Sequence, residues 1–117
     1  FLAWLLDASD AAALCVSHTG LPWTRELPGG RRVVNVGAIG RPANDGDTRV
    51  VYAILSATPE GGAPAVEWRR VAYDHSALAA EMREEGLPEE FAETIETGWW
   101  TTCLEVLPAK ERARGRH

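Results

Sequence analysis

Two segments rich in β-branched and aromatic residues, TRVVYAILSA (48–57) and PAVEWRRVAY (64–73), flank the glycine turn TPEGGA. Residues of this kind suit a pleated, half-buried surface, and segments joined this closely pair as antiparallel neighbours. A second pattern of the same kind precedes them. TREL and RRVVNV flank Pro28-Gly29-Gly30, a turn that closes a hairpin. The middle of the chain is thereby committed to sheet.

The flanks read differently. FLAWLLDAS is apolar on nearly every side, with Leu2, Leu5 and Leu6 at helical spacing, and is expected to be the end of a buried helix. AAALCV is a short apolar run closed by a turn and reads as a central strand. SHTGLPW follows as a loop, because Gly20 and Pro22 break regular structure. GAIGRPANDGD is a long glycine-rich loop. After residue 73 the period switches to helical. Asp74 is the expected N-cap of HSALAAEMREEG, with Leu78 and Met82 facing inward and Gly86 ending the helix. LPEEFAETIETG starts at Pro88, carries glutamates in its first turn, turns Phe91 and Ile95 to one face and ends at Gly98. Residues 99–117 read as a tail, in which WWTTCLEVLP packs back onto the body. The inventory is α/β (α+β): an α/β layered beginning, an antiparallel remainder, and helices on the outside.

With 117 residues there is room for one domain and a small core. The chain begins at Phe1 and its only methionine is Met82, so upstream sequence is expected and residues 1–117 read as a single partial domain. A net charge of -5 removes the general electrostatic attraction for nucleic acid, which is not an expected partner. No apolar run approaches the ~20 residues of a membrane span. Cys15 and Cys103 lie in apolar neighbourhoods; two buried thiols in a reduced, cytoplasmic compartment is the first reading and a disulfide the second.

Few residues can carry chemistry. Of the three histidines, His117 is terminal and His75 falls in the first turn of an amphipathic helix, where it reads as solvent-facing. His18 follows a buried strand at its carboxyl end, where open α/β sheets place ligands, although a structural loop histidine fits the same position. Cys15 and His18 have Cys-x-x-His spacing without the second pair that zinc needs. Asn35, Gly37 and Gly40 follow a strand in NVGAIGRP, where the glycines permit close backbone approach; a tight structural turn and a site-forming loop are both open. The loop is not a phosphate-binding Walker loop, and no serine–histidine–aspartate set can be assembled. Glu84, Glu85, Glu89 and Glu90 read as helix-face charges.

Ser17-His18-Thr19-Gly20-Leu21-Pro22 after a strand, Asn35-Val36-Gly37-Ala38-Ile39-Gly40-Arg41-Pro42 after a hairpin, the acidic turn NDGD, then VVYAIL, RRVAYD and GLPEE occur in that order. In order and spacing they resemble the calcineurin-like metallophosphoesterases, above all the small bacterial phosphodiesterase and diadenosine-tetraphosphatase-like branch. The resemblance runs from the first helix to about Phe91 and corresponds to the carboxyl-terminal portion of such a domain. It implies a sandwich of mixed sheets flanked by helices. It also implies two divalent metal ions (Mn, Fe, Zn or Ni) and hydrolysis of phosphomonoesters or phosphodiesters, with a phosphate-ester small molecule or nucleotide as partner. His18 falls on the first histidine of the family's Gly-His-x-His loop and carries over as a metal ligand. Asn35, Gly37, Gly40 and Arg41 carry over as substrate-side residues. Gly20 stands where the second ligating histidine would be, and Ser17 where the loop's first glycine would be. Loss of that ligand is expected to weaken one metal position by at least roughly 10–100-fold.

The sequence therefore supports a metal-dependent phosphoesterase in the full-length protein, with no catalytic residue assigned and the chain alone inactive. The alternative is a non-catalytic relative with a decayed metal site, acting as a binding or scaffold module. Trp99-Trp100 either covers the core or forms a contact surface.

Overall fold

The structure, a computed structural model, describes residues 1–59 and 61–113. Helix α1 (Leu2–Ser9) is followed by β1 (Ala13–Val16), β2 (Pro22–Leu27), β3 (Arg31–Val36), β4 (Val50–Ser56) and β5 (Ala65–Val71). Helices α2 (His75–Glu84) and α3 (Glu89–Thr97) come next, then a 3-10 turn at Leu104–Val106 and the short α4 (Ala109–Arg112). This is a mixed α+β architecture. Residue 117, where one candidate histidine falls, lies outside the described residues.

Both hairpins form. β2 and β3 pair antiparallel from Leu27↔Arg31 to Pro22↔Val36, with Pro28, Gly29 and Gly30 at the turn. β4 and β5 pair along their whole length, Ser56↔Ala65 to Val50↔Val71. β1 joins β3 in parallel, Ala13↔Arg32 to Val16↔Asn35, so the sheet order is β1-β3-β2. The centre is therefore β3, and β1 is an edge strand rather than the central strand its apolar run suggested. Burial explains why: Val33, Val34 and Asn35 are all buried in β3, whereas Cys15 on β1 is exposed. Nor do the strands make one continuous sheet; β4–β5 is a separate two-stranded ribbon. Side chains tie the two together. Arg32 on β3 donates to the Pro64 carbonyl, and Arg70 on β5 pairs with Asp45 (2.6 Å) and Asp47 (2.9 Å) in the loop after β3.

The helices pack on each other instead of covering the sheet. Ala79, Ala92 and Ile95 form their buried contact, with Tyr73, Leu78 and Met82 against it. Phe91, expected to share the inner face with Ile95, is exposed, because Ala92 takes the inward position. The Asp74 side chain accepts from Ala77 N (2.9 Å) as the α2 N-cap. His75 is half-buried against Tyr73 and its Nδ1 is buried without a partner, so it is not the solvent-facing residue expected. α1 buries only Leu6 and exposes Trp4, and Phe1 just before it is exposed too, again unlike the buried helix its composition suggested. Both cysteines are exposed and unpaired; neither is the buried thiol expected. Cys15 lies on the edge strand β1, and Cys103 sits in a left-handed bend before the 3-10 turn.

The tail does pack back. Trp100 is fully buried, with Leu21 and Leu107 around it and Trp23 and Leu104 alongside. Much apolar surface nevertheless stays outside, including Tyr52, Ile54, Leu55 and Trp68 on the β4–β5 ribbon. The radius of gyration, 16.5 Å, exceeds the about 13 Å of a compact domain of this size.

Candidate functional site

Strand direction brings the candidate residues together. Because β1 and β3 are parallel, both carboxyl ends point the same way, with Val16 beside Asn35. The loop that leaves β1 and the loop that leaves β3 therefore emerge side by side. This is the end of a parallel pair at which ligands collect in α/β folds.

His18 sits one residue into the first loop with its backbone left-handed (φ 84) and its side chain exposed. That conformation is uncommon for a non-glycine residue. Its neighbours hold it. Ser17 Oγ donates to the Gly37 carbonyl (2.5 Å), which ties the first loop to the second. Asn35, 1% exposed, donates from Nδ2 to Thr19 Oγ1 (2.5 Å) and accepts from Gly37 N at Oδ1 (3.2 Å). Asn35 is thus a buried organiser of both loops, its oxygen and one amide hydrogen already engaged within the protein. Gly37 faces the first loop: the Gly20 carbonyl oxygen lies 3.6 Å from where a Cβ on Gly37 would stand. Gly40 occupies the tip of the second turn, which Arg41 N closes on the Ala38 carbonyl (3.3 Å).

Arg41 turns away from the tip. Its Cζ lies 3.7 Å from the centroid of the Trp100 ring, a cation–π stack, and its Nη2 donates to the Thr102 carbonyl (3.3 Å). Among the described residues it has no carboxylate partner. Trp100 is fixed from three further sides. Its backbone N–H donates to Asn44 Oδ1 (2.9 Å), its Nε1 donates to the Pro42 carbonyl (2.7 Å), and Leu21 packs on it. Nothing local in the sequence signals this. Trp100 reaches the loop from eighty positions away, and its only signature there is the lack of a side chain at Gly20.

A cavity of about 520 Å³ opens beside the loop, bounded by Thr19, Leu21, Trp23, Arg25 and Leu107. Near the end of the loop after β3, hydrogen bonds from Arg49 hold the Asp47 carboxyl well below the usual carboxylate range, with Arg70 adding to the effect.

The donor set is small. The two loops offer one imidazole, and among the described residues no three His, Cys, Asp or Glu side chains lie close enough to hold a metal ion. A dinuclear centre does not fit these residues by themselves.

No protein-family model and no curated protein matches the chain. Solved structures do. A metallophosphoesterase from Sphaerobacter thermophilus is 30% identical with a TM-score of 0.61, over 83% of this chain and 46% of that one. The fold is metallophosphoesterase-like. Hypothetical protein PH1004 from Pyrococcus horikoshii OT3 shares the fold, with a TM-score of 0.62 and 24% identity over 85% of this chain and 37% of its own. The chain thus spans less than half the length of either structure. Among the described residues no helix is long and apolar enough to cross a membrane.

Proposed function

We propose that this chain is part of a hydrolase of phosphomonoesters or phosphodiesters, of the small bacterial branch named above, with a small phosphate ester or nucleotide as substrate. The observation that carries this reading is His18, an exposed imidazole presented in a left-handed backbone where the parallel strands β1 and β3 end. The 30% identity to the Sphaerobacter metallophosphoesterase supports it. In this reading His18 is the group the chain contributes to the reacting end. Ser17, Thr19, Asn35 and Gly37 hold the two loops in register, and Arg41 supplies positive charge at their rim. The chain alone lacks the remaining groups and is expected to be inert.

The test compares two proteins with a chromogenic phosphodiester and manganese. The 117-residue chain should give no turnover above the blank. The same sequence within a domain of the length of the Sphaerobacter structure should turn over, and His18→Ala should abolish it. Turnover undiminished by His18→Ala contradicts the assignment.

A second reading, a non-catalytic binding or scaffold module, is favoured by the packing of Trp100 against Gly20. It expects the longer protein to bind a nucleotide without hydrolysing it.

A further inference from the structure

We infer that the Trp100 indole, capped by Arg41, fills the space into which a side chain at residue 20 would project, so that the loop after β1 is closed to a second metal-ligating imidazole. The phosphoesterase reading supplies only the identity of the absent side chain; the packing argument stands without it.

Three observations converge. The first is steric. A Cβ built on Gly20 would lie 2.8 Å from Cζ2 and 3.1 Å from Cη2 of Trp100, and 3.1 Å from Cδ of Arg41. Two of these atoms belong to a rigid ring held by Asn44, Pro42 and Leu21, so the neighbour cannot swing aside as a flexible chain end would. The second is conformational. Gly20 has φ 76, a region that L side chains seldom enter. The third is electrostatic. Arg41, whose Cδ packs beside Gly20, carries a guanidinium over the Trp100 ring with no carboxylate partner among the described residues. A divalent cation placed beside it would meet a like charge that no carboxylate offsets. The side chain that packs beside Gly20 therefore carries a positive charge, stacked on the chain's own tail.

Gly40 provides an internal control. It has nearly the same backbone (φ 78), but a Cβ there meets nothing within 4 Å. Alanine at either site meets the same backbone preference, and only alanine at 20 meets the ring. Gly20→Ala should therefore lower the folding equilibrium constant of the chain by a further 5-fold or more, roughly, beyond Gly40→Ala, as overpacking does. Trp100→Phe removes the Cζ2–Cη2 edge. In a double-mutant cycle, Gly20→Ala should then be less damaging in the Trp100→Phe background by about 5-fold or more. Urea unfolding reads all four proteins. Gly20→His should melt below wild type and show no gain in manganese affinity by calorimetry. Additive effects in the cycle would overturn the inference. So would a folded Gly20→His that binds manganese about tenfold tighter than wild type, the scale on which ligand-shell changes act. Neither readout involves hydrolysis, so an inactive longer protein would sink the phosphoesterase reading and leave this one intact.

Discussion

The two loops that leave the parallel strands share a direction and a left-handed glycine, yet they are built in opposite ways. The loop after β1 is pressed from outside. Trp100 arrives from the tail and fills the space beside the buried Gly20, while Ser17, His18 and Thr19 stay presented to solvent. The loop after β3 is shaped from within, by Asn35 at its base and the Ala38–Arg41 turn at its tip, where Gly40 and Ile39 stand in the open. Glycine at the same φ thus answers a packing demand in one loop and only a backbone demand in the other.

That contrast breaks most readily at Trp100. Trp100→Ala should cost about 3–5 kcal/mol, as expected for a fully buried large aromatic, measured by urea unfolding. A loss under about 1 kcal/mol would mean that the tail does not brace the first loop. Asn35→Ala comes next. It strands the Thr19 hydroxyl and the Gly37 N–H, which predicts a loss of about 1–3 kcal/mol and faster amide exchange at Gly37. Gly40→Ala should cost only about 1–2 kcal/mol, the left-handed penalty alone. Asp74→Ala, remote from both loops, should cost about 1 kcal/mol by loss of the α2 cap and leave the Gly20 and Gly37 resonances in place.

Acid probes the far end of the second loop, shortly before β4. Hydrogen bonds from Arg49, with help from Arg70, keep the Asp47 carboxyl below its ordinary range. The stabilisation is therefore fully present above the unfolded carboxyl pKa of about 3.9 and is lost as the pH falls below it. Asp47→Asn should flatten this acid limb of a stability–pH profile; an unchanged limb would remove Asp47 from the account.

Local chemistry was legible in the sequence. Pro28-Gly29-Gly30 announces the first hairpin, TPEGGA the second, and Asp74 and Gly98 the limits of the two helices, because each acts on neighbours within a few residues. The positions of His18 and Asn35 at strand ends were legible for the same reason. What the sequence hid depends on distant partners. AAALCV looks central until β3, with Val33, Val34 and Asn35 all buried, takes the middle and leaves Cys15 exposed on an edge. Ala92, not Phe91, takes the inner face of α3, in the buried cluster with Ala79 and Ile95. Asn35 reads as a substrate-side residue from its motif, and its burial under Thr19 and Gly37 appears only once both loops are in place. The same holds for Trp100 over Gly20, a contact between a tail residue and a loop glycine.

That contact is also the most direct place to test the account. In proton NMR of the 117-residue chain, the Gly20 Hα protons should show strong cross-relaxation with the Hζ2 and Hη2 protons of Trp100, and should be displaced by the indole ring current. Gly20 Hα signals at ordinary glycine shifts, with no cross-relaxation to Trp100, would contradict it.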